Sequence, residues 1–521
     1  MKKIVNVLFL IIFVLILVSC GETKGKYKFI NLSKEYDVKD SNVDLYFKEE
    51  STIPYISIER FIKMLDGVYY SEEFEFIKNF NDNSLTINFE VEHDDELYSE
   101  TLVFDVDSNV VEISSLDFFG LYMHSTETDY GEGLIDLDPI YEDGSSITYN
   151  LNEYDFDILI IDKEFYLPLF LTNLIFNQDN YFDVFYNGDV IYGFDTNNLE
   201  TKDLKTILKS ELNEEDAPLE VRLATYNFYR FVTDYFYGLK EERNITDSNT
   251  FIDKEDFLSG DLNKRIFDAV KLFDDLHTSH NSKGIYKNNL KDFTFDDNSN
   301  RGPYINAFYR DLGFVQNDAV DYFGVRGGYI DIPDYEIINT DTAVIYLMGF
   351  DVDTPNEVEE ILQKLDKTII KNVIIDLTLN TGGNLGAVLR IFTLMTNKEI
   401  WYHIANKLDG STASYGVVGE KTPYLDFNYI IKSSGITFSA ANLMVSIGKE
   451  LGFKIIGSKS SGGASPISYV VFPEGSIINI SSLNVLSDRE YNSIERGIFP
   501  DVTLNKLYNK LEIKKAIGKG D

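Results

Sequence analysis

Four short apolar runs between Ala343 and Ile456 set the strongest limit on what this chain can fold into. They are Ala343–Met348 (AVIYLM), Asn372–Leu377 (NVIIDL), Ile430–Phe438 (IIKSSGITF) and Phe453–Ile456 (FKII). Short runs of this kind, led by Ile, Val, Leu and Phe, read as buried strands. Amphipathic segments separate them. One covers Thr354–Leu365 and opens on Thr354-Pro355, one starts at about Leu385, and one carries Leu443, Met444, Ile447 and Leu451 on a single face. Strands alternating with helices across glycine turns describe a parallel α/β layer.

Two junctions in this layer carry chemistry. After the strand ending at Leu377 comes Asn380-Thr381-Gly382-Gly383. Glycines without Cβ atoms let a backbone N–H come close to a ligand, but the spacing is not that of a P-loop or a dinucleotide fingerprint. The second junction is Ser439-Ala440-Ala441, between a strand and a helix. A serine here holds its hydroxyl on a sharp turn, and the first helical N–H groups point where a carbonyl oxygen could sit. On this stretch alone the simpler reading is that Ser439 caps the helix.

The N-terminus reads as a processing signal. Lys2 and Lys3 precede the apolar run Ile4–Val18, which is shorter than the roughly 20 residues of a membrane span. Residues 1–19 are therefore expected to be a signal peptide. It ends in Leu17-Val18-Ser19-Cys20, similar to a bacterial lipobox, and Cys20 is the single cysteine of the chain. With no internal partner for a disulfide, its expected role is to carry lipid, and two or more acyl chains would hold the protein on a membrane. The remainder is then expected to be a soluble portion facing outside the cytoplasm. With 521 residues, 44% hydrophobic and 14% aromatic, it has material for two to four domains with real cores. The formal charge of −39 is spread along the chain, which argues against nucleic-acid partners and against acidic substrates held by charge.

Residues 20–27 read as a tether and 28–205 as a β-rich region, from runs such as LTINFEVEH and DVFYNGDVIYGFD divided by Gly and Asn-Asp turns. A weak repeat relates Asn42–Leu65 to Tyr154–Phe176: a strand, a charged turn, a proline (Pro54, Pro168), then an apolar helix face. Two copies of a small α+β unit are expected, suited to spacing, docking or substrate capture. Residues 216–300 form a helical subdomain, with helices over Ala217–Arg243 and Asp253–Leu276. The second runs into Asp275-Leu276-His277-Thr278-Ser279-His280, which holds two of the five histidines. As a metal site this pair lacks a third ligand. Gly302–Asp334 reads as irregular.

Taken together, these stretches resemble the tail-specific or C-terminal processing serine peptidases, in the branch nearest the tricorn protease core. NVIIDLTLNTGG resembles the family's strand followed by Asn-x-Gly-Gly, and SSGITFSAANLM its Thr-x-Ser-Ala nucleophile turn. FKIIGSKSSGGA resembles the next strand and Gly loop, IERGIFPDVTL the closing segment, and DLHTSH the Asp-x-His-Thr helix end. The resemblance implies a catalytic core over 301–521 with the spiral ββα fold shared with Clp protease and crotonase. It makes Ser439 the nucleophile, with the N–H groups of Ala440 and of Gly382 or Gly383 as oxyanion hole. The lysine of the lysine-dyad members falls at Gly463 here, and Lys459 is four residues away. The histidine of the tricorn-like branch matches His277, or His280 on another alignment of the same segment. Glu495 matches the carboxylate that completes the constellation, or is a surface residue; Asn442 stands where the family usually has Glu. No PDZ-like segment is visible. Together, the lipobox-like Cys20 and the resemblance imply a membrane-anchored peptidase acting on peptide or protein substrates without metal or cofactor. The competing readings are a non-catalytic binding or adhesion module on the same fold and a crotonase-like acyl-CoA enzyme, which export and acidic charge disfavour.

Overall fold

A computed structural model of the protein describes residues 23–93, 96–119, 123–177, 180–292 and 302–518. The expected signal peptide and Cys20 lie outside the described residues. Among the described residues, no helix is long and apolar enough to cross a membrane.

The core sheet has the order Tyr335–Asn339, Thr342–Tyr346, Asn372–Asp376, Asn428–Ser433, Lys454–Gly457, Val502–Thr503. The first pair is antiparallel and every later pair parallel, as the buried apolar runs require. Helices Thr354–Lys364, Leu385–Met395 and Ala440–Glu450 provide the crossovers. At the ends of the two central strands, Asp376 and Lys432 stand opposite each other in register. Their side chains pair at 2.6 Å, each 1% exposed, with the Lys432 ammonium 4.3 Å from the centre of the Tyr508 ring. Breaking such a pair by removing one partner strands a buried charge.

The apolar run Ile430–Phe438 is strand only to Ser433. Beyond it, Ser434 Oγ donates to the Thr378 carbonyl, and Thr437 Oγ1 donates to the Leu377 carbonyl while accepting from the Ser434 N–H. Serine and threonine hydroxyls here take over backbone groups that a longer strand would pair. The same bonds stitch the Leu377–Gly383 loop to the Ser434–Ser439 loop.

The N-terminal region differs from its expected layout in three respects. Thr23 to Tyr27 is not tether. It begins the strand Thr23–Asn31, which pairs with Ser41–Phe47 from Thr23↔Phe47 to Phe29↔Ser41, because Tyr27 and Phe29 alternate with lysines and Phe29 is fully buried. The two repeat copies do not form separate units: Tyr55–Ser57 and Glu164–Pro168 pair antiparallel in one seven-stranded sheet. Finally, Leu134–Asp136 and Ile140–Glu142 leave this region and add to Thr412–Gly419 of the core, so the β-rich region and the core share a sheet.

The helical subdomain is more broken than its apolar spacing suggests. Leu219–Tyr235 is one helix, but Asp253–Leu276 divides into Lys254–Leu258, Leu262–Val270 and a 3-10 turn, with Asp253 and Asp261 each capping a new start. In the opposite direction, the supposedly irregular Gly302–Asp334 contains a 21-residue helix, Pro303–Phe323, followed by the hairpin Val325–Arg326/Tyr329–Ile330. Pro303 at the first turn and buried Phe308, Val315 and Ala319 carry it; Gly302 and Gly313 had masked the periodicity.

Candidate active site

Ser439 sits at the start of helix Ala440–Glu450 with φ 56° and ψ −128°. A non-glycine residue in this region costs about 1–3 kcal/mol and persists only where its surroundings enforce it. They do so here: the Ser439 N–H donates to the Gly462 carbonyl at 2.8 Å, and the Phe438 N–H to the Asn380 carbonyl at 3.3 Å. Despite its position, the Ser439 side chain makes no capping hydrogen bond. The cap reading of this serine is therefore set aside. Its hydroxyl is half-buried and uncommitted.

The Gly382-Gly383 turn faces it closely. A Cβ on Gly382 would lie 2.7 Å from Ser439 Cβ and 3.1 Å from its Oγ, and the glycine has φ +115°, so only glycine fits. The two glycines differ in what their N–H groups do. That of Gly382 donates to Asn380 Oδ1 at 2.8 Å. That of Gly383 has no acceptor among the described residues, and neither has that of Ala440. Gly383 is exposed where Gly382 is buried. Two uncommitted N–H groups, on Ala440 and Gly383, thus flank the serine.

His277 and His280 point to different neighbours. The His277 ring lies 4.6 Å, centre to centre, from the ring of Phe438, the residue before Ser439. It is 5% exposed, and its Nδ1 has no hydrogen-bond partner. Burial depresses its pKa, opposed by the charge of Asp275 and by the Ser465 carbonyl, so the imidazole is held in the neutral form that can accept a proton. His280 belongs to the strand Ser279–Ser282 and turns to Phe267 of the helical subdomain, 5.8 Å away. Burial and then Lys283 push its pKa down to about 4. The structure brings His277, and not His280, to the serine's loop. Among the described residues, no group of three or more His, Cys, Asp and Glu is arranged to hold a metal.

Glu495 is not a surface residue: it is 3% exposed. Its Oε1 accepts from Arg243 Nη2 at 2.9 Å and its Oε2 from the Ala464 N–H at 2.8 Å. Burial, with nearby Asp275 adding to it, raises its pKa to about 7. The carboxylate whose charge acts on His277 is Asp275. Its Oδ1 accepts the His277 backbone N–H at 3.1 Å, and its Oδ2 accepts from the Thr278 and Ser481 hydroxyls, each at 2.6 Å. Sequence reasoning had not singled out Asp275 or Arg243; the Asp two positions before a histidine was the available signal for the first, and nothing marked the second.

Lysine is absent from this centre for a steric reason. Gly463 has φ +81°, and a Cβ there would lie 2.4 Å from the Phe438 ring. Lys459 instead extends over the ring of Phe499, 4.8 Å from its centre. Asn442 holds the closing loop, donating to the Ile494 carbonyl at 3.1 Å and accepting from Ser460 Oγ at 2.6 Å.

Residues 326–504 match the family model of peptidase family S41. No curated protein matches the chain. Among solved structures, a putative peptidase from Parabacteroides merdae is similar at 18% identity and TM-score 0.43, over 59% of this chain and 99% of that one. A lipoprotein from Streptococcus agalactiae is similar at 16% identity and TM-score 0.34, over 56% and 96% respectively. A photosystem II D1 C-terminal processing protease is similar at 14% identity and TM-score 0.37, over 55% and 93%. The similarity to peptidase family S41 thus spans residues 326–504, about a third of the chain, and takes in Gly382-Gly383, Ser439 and Glu495.

Proposed function

We propose that this protein is a lipid-anchored peptidase, facing outside the cytoplasm, in which Ser439 is the nucleophile and His277 its base. The observation that carries the reading is the uncommitted Ser439 hydroxyl on a strained turn between the free N–H groups of Ala440 and Gly383. A serine hydroxyl is nearly inert at neutral pH and needs a base, which contributes roughly 10²–10⁴-fold. Neutral His277 takes the Ser439 proton as Oγ attacks the peptide carbonyl carbon. The oxygen becomes an oxyanion held by the Ala440 and Gly383 N–H groups; one such donor is worth about 10²–10³ in rate. The C–N bond then breaks, the imidazolium gives its proton to the leaving amine, and an acyl ester remains on Ser439. Water, deprotonated by His277, hydrolyses the ester and frees the carboxylate product.

The mixed core sheet with its crossover helices is read as the spiral arrangement of this peptidase class, and Cys20 as the lipid attachment point. The substrate class is protein or peptide, taken without a PDZ-like grip: Pro303–Ile330, between the helical subdomain and the core, is one helix and a hairpin.

The test is labelling of the purified chain from Gly21 onward with a fluorophosphonate probe, alongside cleavage of unfolded casein. Labelling and cleavage should be lost in Ser439→Ala, reduced at least 10²-fold in His277→Ala and retained in His280→Ala. A well-folded wild type that neither labels nor cleaves would leave a binding module on a peptidase fold.

A further inference from the structure

Arg243 lies outside the family-matched segment, in the turn after helix Leu219–Tyr235, yet it meets both halves of the site. On one side its Nη2 bonds Glu495 Oε1 at 2.9 Å. The other oxygen of Glu495 holds the Ala464 N–H, in the loop whose Gly462 carbonyl anchors the Ser439 N–H and whose Ser465 carbonyl faces the His277 imidazole. On the other side, the same Nη2 is 4.0 Å from Asp275 Oδ1, the atom that takes the His277 backbone N–H. The guanidinium is itself clamped, with its carbon 4.1 Å from the centre of the Tyr304 ring, and Tyr304 donates its hydroxyl to the Ser461 carbonyl at 2.9 Å.

We propose that Arg243 is a positioning residue of the peptidase site: its guanidinium ties the Glu495–Ala464 loop, which sets Ser439, to the Asp275–His277 turn, which sets the base. This rests on Ser439 and His277 acting as nucleophile and base. Two buried carboxylates without a cation between them repel each other, and one of them protonates. The planar arginine fork holds one nitrogen against both carboxylates while its face rests on the Tyr304 ring, a placement that a lysine ammonium does not reproduce. Loss of the guanidinium therefore has a signature that simple destabilisation lacks. With the positive charge gone, the Glu495 carboxyl, already raised to about 7, protonates at still higher pH. The ionised, loop-holding form then appears only in more alkaline solution.

The experiment measures the second-order rate of fluorophosphonate labelling between pH 5.5 and 9 for wild type, Arg243→Met and Arg243→Lys. Wild-type labelling tests the nucleophile assignment by itself, so the variants report separately. Arg243→Met is expected to label at least tenfold more slowly at pH 6.5, with its acid limb moved to higher pH and the gap narrowing towards pH 9. Millimolar methylguanidinium should restore part of the rate to Arg243→Met and none to wild type. Arg243→Lys, which keeps the charge without the fork, should retain the wild-type acid limb at a reduced rate. Labelling wild type with Arg243→Met and Arg243→Lys matching it at every pH, or Arg243→Met lowered by one constant factor with no rescue, would overturn the proposal.

Discussion

At the scale of single residues, the site is governed by groups taken out of water. Glu495 and His277 lie within one buried cluster, and burial moves them in opposite senses: the carboxyl rises to about 7 while the imidazole falls below its ordinary 6.5. Burial disfavours whichever form is charged, which gives both directions. If Glu495 works as the anion that holds the Ala464 N–H, activity is lost as pH falls through about 7, above the point at which His277 gains its proton. Glu495→Gln should therefore move the acid midpoint of the labelling rate to below 6.5, while lowering the alkaline plateau through loss of the charged partner of Arg243. An unchanged midpoint near 7 in Glu495→Gln would assign the limb to another group. Ser439, His277 and Glu495 were legible as candidates only through the family resemblance, since on its own stretch Ser439 reads as a helix cap and the histidine pair as a polar helix end. Arg243 was not, because a buried arginine in a turn looks the same in sequence as a solvated one.

At the scale of elements, two loops from adjacent parallel strands make the site, and glycines decide how near they come. Gly382 meets Ser439 Cβ and Gly462 meets the Glu495 carbonyl at distances that leave no room for a methyl group. Gly382→Ala should abolish labelling and lower stability, since it combines a clash with a φ of +115°. Gly313 is the contrast. It lies inside helix Pro303–Phe323 with open space around its Cα, so Gly313→Ala should stabilise the protein by about 0.5–1 kcal/mol through helix propensity alone. Thermal unfolding of the two variants side by side checks both signs, and a stabilising Gly382→Ala would contradict the loop geometry. The parallel strands were readable because runs such as NVIIDL have few alternatives. The Pro303–Phe323 helix was not, because its glycines and tyrosines look like loop composition, while packing of Phe308 against Phe438 is a tertiary effect that local propensity does not register.

At the scale of the whole molecule, the N-terminal region is tied into the core that matches the family model. Leu134–Asp136 and Ile140–Glu142 extend a core sheet, and the Tyr130 carbonyl lies so close to Gly386 that an added Cβ would sit 2.2 Å from it, at the second residue of the helix that follows the Gly382-Gly383 loop. Sequence reading found the β-rich character and the internal repeat, but strand partners far apart in the chain carry no local mark, so the shared sheets were not visible. The proposed lipid anchor belongs to this scale as well. Cys20→Ser should release the full-length chain from the membrane fraction into the soluble fraction with its labelling rate unchanged. Equal membrane partitioning of wild type and Cys20→Ser would remove the anchor from the account.

The proposed nucleophile is Ser439, with an oxyanion site built from the Ala440 and Gly383 N–H groups. Its most direct test is to digest the fluorophosphonate-treated protein and locate the added mass by fragmentation. One adduct per chain, on Ser439 and absent from His277→Ala under the same exposure, is the predicted result. An adduct on any other serine, or a folded wild type that carries none, would contradict it.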